Sequence, residues 1–548
     1  MQKMPNNKKP FFYDVTLRDG NQALKKPWNT KQKEIIFNQL LTLGVQGIEV
    51  GFSGSSDMDF EACQHLAGIA PDNVVISALA RAVEKDIIKV AEALKQAPRK
   101  RIHTFIAMSP FNMEYVLRKD PKDVRKIAVE AVKFAKSLMD KKGEVEFTIE
   151  HFGDCVENLS FVIDSLQEVV AAGAKIVNLP NTVERARPLE FVNMVSQVVK
   201  ALPPDIIISV HCHNDLGMAT ATTVESFFAG ATQLECTLNG LGERAGNTNL
   251  YEVATSLYNC HVDVPLDMSK IYETALIVAE MSGIPIYEKS PLIGPDALAH
   301  RSGIHQDGAF KTKGMKKGAY RPIDPSLIGR DDDEKLGFTS QSGKTAIYEI
   351  ITRAGHPITI EEAVRITPMI KEKAEAVGEL PTQSILDIYF KEIFDVSGLF
   401  KFIEFKKLEN GMSSQASSQA KLELRPCSFP LCDGDKEKYK LRFAHNDQEY
   451  ETVGHGDGPL EACLEGLSNL GFPQKLAHYE QIAIGEETKG VAADAMTVIQ
   501  LEAPDGRIIT CRGKDPSTAK ANVKAIFNGL NIIYNSSLIK PESVKNYS

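Results

Sequence analysis

No run of apolar residues approaches the roughly 20 that a membrane helix needs. The basic start, Met1 to Pro10, is followed by no apolar core of the kind a secretory signal carries. No C-x-x-C pair occurs: the nine cysteines are odd in number and scattered along 548 residues. That pattern argues against a zinc finger or a disulfide scaffold and for reduced thiols in a cytoplasmic protein. Basic charge is not in excess either. Lys+Arg 63 against Asp+Glu 72 leaves −9, without long runs of one sign, which argues against a nucleic-acid binder. What is present is ordinary for a globular chain, with 43% hydrophobic, 25% charged and 7% aromatic residues, so disorder, collagen and coiled coil are excluded as descriptions of the whole. At roughly 100–200 residues per domain, the length predicts about three domains, or one large barrel with additions.

The first 260 residues repeat one unit, a short Val- and Ile-rich run followed by a longer segment of helical periodicity. The strand candidates are Phe12–Thr16, Gly47–Val50, Val74–Leu79, Arg101–Ile106, Glu144–Glu150, Lys175–Leu179, Ile206–His211 and Gln233–Leu238. Helical stretches between them include Thr30–Leu43, Asp123–Met139, Leu159–Ala171, Leu189–Lys200 and Met218–Ala229. Eight strands alternating with helices over about 250 residues is the count and size of a TIM (β/α)8 barrel. A doubly wound open sheet is the competing α/β solution, with a less regular strand number. Beyond about residue 290 the rhythm stops: residues 291–345 read as irregular connection with a charge cluster at Arg330–Lys335. Lys344–Arg353, Ile360–Val377 and Ser384–Ile393 read as helices. From about 396 the pattern is α+β, with strands expected at Leu399–Lys407, Ala420–Leu424 and Tyr439–Phe443, helices at Leu460–Asn469 and Ser517–Leu530, and a polar, mobile tract at 413–420. The two late helices each follow strand-like residues, which suggests two related halves. The expected domains are 1–290, 291–395 and 396–548.

In a TIM barrel, chemistry sits at the C-terminal ends of the strands. Arg18 and Asp19 follow the first strand, Glu49 ends the second, Arg81 follows the third, and His103 lies in the fourth. Glu150 ends the fifth, Asn178 and Thr182 flank the end of the sixth, His211 and His213 end the seventh, and Asn239, Glu243, Arg244 and Asn247 follow the eighth. Stability alone does not explain polar groups from all eight strands on one rim. In His211-Cys212-His213 the strand period of two aims both imidazoles at one face. With a carboxylate such as Asp19 they make a set suited to a divalent ion with positions left open. An isolated H-x-H is more often a hydrogen-bonded core pair, but Arg18-Asp19 at another strand end and the following Asn214-Asp215 reverse that balance. The run from Gly240 to Asn247, with Gly242, Glu243 and Arg244 inside it, has G-x-G-x-x-x-G spacing and follows the last strand, so it is no dinucleotide fingerprint. It reads either as a turn or as a loop that lets a ligand approach the backbone. His305 and Tyr320, in the irregular stretch, are uninformative by themselves, and Asp331–Glu334 reads as a solvated charge run.

Thr16-Leu-Arg-Asp-Gly-Asn-Gln22, His211-Cys-His-Asn-Asp215 and Gly240-Leu-Gly-Glu-Arg-Ala-Gly-Asn247, in that order on a barrel, resemble the DRE-TIM metallolyase superfamily. His103-Thr-Phe-Ile-Ala107, Ser302-Gly-Ile-His-Gln-Asp307, Ser340-Gln-Ser-Gly-Lys344 and Gly456-Asp-Gly-Pro459 narrow the resemblance to its 2-isopropylmalate synthase branch, over nearly the full length. Asn-Gln after Gly20, where many members have Glu-Gln, resembles one subgroup of these synthases.

The resemblance implies a divalent cation (Mg²⁺ or Mn²⁺, with Zn²⁺ as a further candidate) held by Asp19, His211 and His213, with Asn247 as a fourth or nearby ligand. It implies that Arg18 steadies the substrate oxygen, that Thr182 holds the 2-oxo acid carboxylate, and that His103 and Glu150 line the pocket with Glu49 behind them. The loop of Gly240, Gly242, Glu243 and Arg244 would accompany acetyl-CoA. His305 and Tyr320 would act across a homodimer, His305 being the first candidate for the proton-abstracting base, with Glu243 or a water beside it. The implied reaction condenses acetyl-CoA with 2-oxoisovalerate, and the implied C-terminal domain binds leucine as an inhibitor. Homocitrate and citramalate synthases are the rivals that share the metal set, a lyase would run the cleavage direction, and a leucine-sensing protein with an inactive barrel is the non-enzyme alternative.

Overall fold

Eight short apolar runs become eight parallel strands: β1 (Phe11–Asp14), β2 (Gly47–Glu49), β3 (Val75–Arg81), β4 (Lys100–Ala107), β5 (Glu144–Glu150), β6 (Ile176–Asn181), β7 (Ile207–Cys212) and β8 (Gln233–Cys236). They pair in sequence order, and β8 returns to β1 with Phe11 opposite Gln233, closing a barrel. The computed structural model describes residues 9–140, 142–315, 317–330, 337–408, 436–484, 494–503, 506 and 508–534. The expected strand Ala420–Leu424, the tract at 413–420 and the cluster Asp331–Glu334 lie outside those residues.

The helices α1 (Thr30–Leu43), α2 (Asp57–Gly68), α3 (Glu84–Ala93), α4 (Pro121–Ser137), α5 (Leu159–Ala171), α6 (Pro188–Ala201), α7 (Ala219–Phe228) and α8 (Leu250–Asn259) alternate with the strands. Their starts follow local chemistry. Asn29 and Gln32 exchange side-chain and backbone bonds as a capping box for α1, and α1 stops at Gly44, whose φ of 82° favours glycine. In α4, Pro121 sits in the first turn, where a missing N–H costs nothing, and Val124, Ala128, Ala131, Val132 and Ala135 form the buried stripe. A further helix, α9 (Ile271–Ser282), follows the barrel, and its Met281 carbonyl accepts the indole N–H of the buried Trp28 at 2.8 Å.

The described residues of 1–299 and 312–335 form one compact unit, and those of 300–311 and 336–548 a second. The second contains α10 (Gly303–Lys311), α11 (Lys344–Arg353), α12 (Ile360–Val377) and α13 (Thr382–Phe394), followed by two three-stranded antiparallel sheets. One sheet joins β9 (Phe400–Lys407), β10 (Glu437–His445) and β11 (Gln448–Gly456), with α14 (Pro459–Asn469) after it. The other joins β12 (Lys475–Ile484), β13 (Asp494–Glu502) and β14 (Ile508–Asp515), with α15 (Thr518–Tyr534) after it. Each half is thus three strands and a helix. A buried ion pair ties the helices to the second sheet: Arg512 Nε and Nη2 donate to Glu362 Oε1 and Oε2 at 2.8 and 3.1 Å. Buried Asn528 and Asn531 of α15 bond the backbone of residues 394–400 on both sides.

Helix α10 departs from the irregular connection expected at 291–345. It has glycine at 303 and 308, and its Ile304 is 76% exposed, so no apolar stripe marks it in the sequence. The Gln306 side chain fastens it to the carbonyls of His300 and Gly337 at 2.9 Å each.

Candidate metal centre and adjoining cavity

Strand β1 ends two residues earlier than its apolar pattern suggests. The Asp14 carboxylate accepts the Thr16 N–H at 2.8 Å and its hydroxyl at 3.0 Å, which turns the chain. The wide helical turn Thr16–Gly20 follows, closed by Gly20 N–H on Val15 O at 3.3 Å, and it carries Arg18 and Asp19 over the barrel mouth. Two strands round the barrel, past β8, β7 delivers His211, and His213 lies just past its end, bridged to Asn247.

Asp19, His211 and His213 have ligand atoms within 4.8 Å of one another, all three buried. The two Nε2 atoms are 3.3 Å apart, and Asp19 Oδ2 is 3.7 Å from one and 4.0 Å from the other. Burial, with Arg18 nearby, lowers His211 to about 4, and burial with His211 as neighbour lowers His213 to about 3, so both are neutral at pH 7. Burial pushes the Asp19 carboxyl up, but Arg18, both histidines and a hydrogen bond from Asn247 hold it well below the usual carboxylate range. Asp19 Oδ1, His213 Nδ1 and Asn247 Oδ1 are buried with no hydrogen-bond partner among the described residues. An anion and two neutral imidazoles gathered around unpaired buried atoms are a poor arrangement for protein alone and a good one for a divalent cation.

Arg18 and Asp19 meet at 2.6 Å, and Arg18 Nε donates to Glu49 at 2.5 Å. The other Glu49 oxygen accepts His103 Nδ1–H at 2.6 Å. Burial opposes charge on His103, yet Glu49 raises it to about 9; Glu49 itself, which burial pushes up, is held at about 2 by Arg18 and His103. His103 is therefore an imidazolium at pH 7, and its Nε2–H donates to Thr148 Oγ1 at 2.6 Å. Asn178 Nδ2 donates to the same oxygen at 3.0 Å, so the Thr148 hydroxyl proton points away from both. Arg18, Asp19, His103, Glu150, Thr182, His211 and His213 line one cavity of about 110 Å³ with Leu79, Phe105, Thr148, Asn178 and Pro180. Burial raises the Glu150 carboxyl, with His151 and Arg18 opposing it. Thr182 Oγ1 accepts the His151 N–H at 2.9 Å.

The glycine-rich loop lines a second cavity of about 260 Å³, which includes Gly240 and Asn247. Gly246 has φ of 96° and lies so close to Gly240 that a Cβ would sit 2.1 Å from its carbonyl oxygen. A Cβ on Gly242 would press on the Asn247 amide at 2.4 Å, so these glycines shape the backbone that positions Asn247. Glu243 is exposed, and Arg244 turns back to Asp215 with two bonds of 2.8 Å and to Thr182 O at 2.6 Å. Arg81 is not part of the cavity: it is 61% exposed and pairs with Asp86 at 2.6 Å. Tyr320 is 41% exposed in the segment after the barrel, and His305 sits on α10 in the second unit, its ring 6.1 Å from that of His300.

Five side chains that matter inside the barrel carry no motif: Arg101, Glu146, Ser209, Gln233 and Glu235. Their signal is alternation, since Arg101 and His103, Glu146, Thr148 and Glu150, Ser209 and His211, and Gln233 and Glu235 each fall two apart on one strand, hence on its interior face.

Residues 9–278 match the HMGL-like family model, residues 296–352 the model for the alpha-isopropylmalate synthase post-catalytic domain, and residues 405–534 that for the LeuA allosteric (dimerisation) domain. The chain is 59% identical over 369 residues to "2-isopropylmalate synthase 2" of Leptospira interrogans, covering 67% of this chain and 86% of that one. It is 33% identical to the "2-isopropylmalate synthase" of Campylobacter hominis over 96% of this chain and 98% of that one. The Haemophilus influenzae protein of that name is 34% identical, with 98% of each chain covered.

Proposed function

The chain belongs to the 2-isopropylmalate synthases, and from that premise we propose that its barrel condenses acetyl-CoA with 2-oxoisovalerate and hydrolyses the thioester, giving 2-isopropylmalate and CoA. This is the committed step toward leucine. The single observation that carries the reading at the level of chemistry is the buried Asp19, His211 and His213 cluster facing a cavity that also holds Arg18 and a charged His103.

Asp19, His211 and His213, with Asn247 beside them, hold the divalent cation, and Mg²⁺, Mn²⁺ and Zn²⁺ all suit such a donor set. When bound, the cation supplies Lewis acidity toward the ketone and carboxylate oxygens of the oxo acid. The remaining work falls to the chain's own groups. Arg18, fixed between Glu49 and Asp19, offers positive charge where the ketone oxygen becomes an alkoxide, and needs no reorganisation to do so. Thr182 takes the oxo acid carboxylate, and Glu150 handles a proton at the cavity wall. Leu79, Phe105 and Pro180 give the wall apolar surface for an isopropyl group. Among the described residues lining the cavity, Arg18 is committed to the ketone oxygen and His103 points its two N–H groups at Glu49 and Thr148, so no cation is left for the second carboxylate of the longer substrate of a homocitrate synthase. The Gly240–Arg244 loop accompanies acetyl-CoA.

The match of residues 405–534 to an allosteric dimerisation domain supports a homodimer inhibited by leucine. In that dimer His305 and Tyr320 act on the partner's cavity, His305 as the base at the acetyl methyl, with Glu243 or a water beside it. No helix among the described residues is long and apolar enough to cross a membrane, and we place the enzyme in the cytoplasm. His213→Ala is expected to abolish metal-dependent CoA release from acetyl-CoA with 2-oxoisovalerate. Full turnover by a metal-free preparation of that variant would remove the site assignment.

A further inference from the structure

We propose that Glu235 is a positioning residue for the metal centre, and that it is held in its role by a hydrogen-bond chain that begins at Arg101, at the opposite end of the barrel interior. The inference rests on reading Asp19, His211 and His213 as the cation site.

Glu235 is 1% exposed and lies opposite His211 in the β7–β8 register. Its Oε2 is 3.0 Å from His211 Nδ1, and its Oε1 is 3.2 Å from the Ser209 hydroxyl. The direction of this pair follows from the groups below it. Arg101, fully enclosed near the start of β4, has only donors. Its Nη1 donates to Gln233 Oε1 at 2.8 Å and to Glu146 Oε2 at 2.9 Å. That fixes the Gln233 amide: Oε1 faces Arg101, and Nε2 must donate, to Glu146 Oε1 at 2.8 Å and to Ser209 Oγ at 3.0 Å. Ser209, having accepted there, turns its own proton toward Glu235 Oε1. The carboxylate thus accepts at both ends, and the proton it receives from above is His211 Nδ1–H. The lone pair of His211 is left on Nε2, which faces His213 and Asp19.

Donation runs from Arg101 up to Glu235 because a guanidinium cannot accept, and it meets the His211 Nδ1–H there from the other side. Arg101, Gln233, Ser209, Glu235 and His211 form a ladder on the inner faces of β4, β7 and β8, and its product is an imidazole of fixed tautomer and fixed aim. Were the ring reversed, an N–H would sit at the point where a cation needs a donor pair. A partner for the second ring nitrogen is typically worth about 10- to 100-fold in metal affinity. The barrel interior, where apolar layers are usual, is polar here to hold that partner still.

The test measures Mn²⁺ affinity calorimetrically on metal-stripped, full-length protein, with the visible spectrum of the Co²⁺ form as a second readout. Glu235→Gln keeps the size but not the two-sided acceptor; it should weaken Mn²⁺ binding about 10- to 100-fold and shift the Co²⁺ bands. Ser209→Ala removes one link with little change in volume and should weaken binding about fivefold, the equivalent of one hydrogen bond. It keeps the test open should Glu235→Gln not fold. Trp28, the single tryptophan, reports barrel unfolding in the metal-free proteins. A loss of Mn²⁺ affinity without a matching loss of metal-free stability supports positioning. Wild-type affinity and an unshifted Co²⁺ spectrum in both variants would overturn the ladder while leaving the metal centre standing. A wild-type chain that binds no Mn²⁺ would overturn both.

Discussion

Replacing Glu49 by glutamine isolates the charge arrangement that the cavity depends on. Glu49 is 0% exposed and receives Arg18 at 2.5 Å and His103 at 2.6 Å, so its one charge serves two buried cations, with Asp19 as the second partner of Arg18. Glutamine has one acceptor oxygen where both cations need one, and its amide N–H₂ would face the other. Removing one partner of a buried pair costs about 3–5 kcal/mol. A second route gives a similar figure. Burial lowers the pKa of His103, but Glu49, helped by Glu146 and Glu235, raises it to about 9 against 6.5 for a free histidine; at 1.36 kcal/mol per unit that net shift corresponds to roughly 3 kcal/mol. A pKa raised by folding means that this stability is fully present below pH 6.5 and is lost as pH rises through about 9. Trp28 is 2% exposed and lies in the barrel unit, so its fluorescence in urea follows the barrel separately from the second unit. The parent should lose roughly 3 kcal/mol between pH 6.5 and 9.5, whereas Glu49→Gln should start about 3–5 kcal/mol lower at pH 6.5 and show no such decline. A variant within about 1 kcal/mol of the parent at pH 6.5, smaller than the cost of any broken buried pair, would refute the reasoning, as would a parent whose barrel stability is flat across that range.

Gly246→Ala forces a Cβ to within 2.1 Å of Gly240 O at a φ of 96°, beside Asn247. The strain of about 1–3 kcal/mol should displace the loop, and Mn²⁺ titration should show weakened binding; unchanged affinity would detach Asn247 from the centre. Arg512→Met should destabilise the second unit by about 3–5 kcal/mol by leaving Glu362 buried and unpaired, and the Glu362→Leu, Arg512→Met double variant should recover most of that loss. Thermal unfolding followed by circular dichroism checks both, and equal losses in single and double variants would contradict it. Deleting residues from 396 onward should remove inhibition by leucine, read from CoA release with and without the amino acid; inhibition at full strength in the truncated chain would rule out a regulatory role for those residues.

The barrel was legible in the sequence because its signal is local and periodic. Thr30–Leu43 and Leu159–Ala171 are marked by apolar spacing and end where the observed helices end. The candidate centre was legible for a different reason: Arg18, Asp19, His211 and His213 are polar residues at strand ends, where a parallel barrel gathers side chains from distant parts of the chain. What stayed hidden depends on pairing across strands. Arg81 stands at a strand end like the others, but Asp86, five residues on, draws it to the surface. Glu235 has no motif neighbour, and its meaning appears only when the β7–β8 register sets it against His211. Helix α10 carries no such signal, because Gln306 fastens it through polar contacts rather than an apolar stripe.

The most direct test of the central claim is thiol release from acetyl-CoA with purified full-length protein and Mg²⁺ or Mn²⁺, run in parallel on 2-oxoisovalerate, pyruvate and 2-oxoglutarate, each repeated after chelation. An apolar wall of Leu79, Phe105 and Pro180, with no cation among the described lining residues left for a second carboxylate, predicts the highest kcat/KM for 2-oxoisovalerate and none of it without metal. A preference for 2-oxoglutarate or pyruvate, or turnover that survives chelation, would contradict the account.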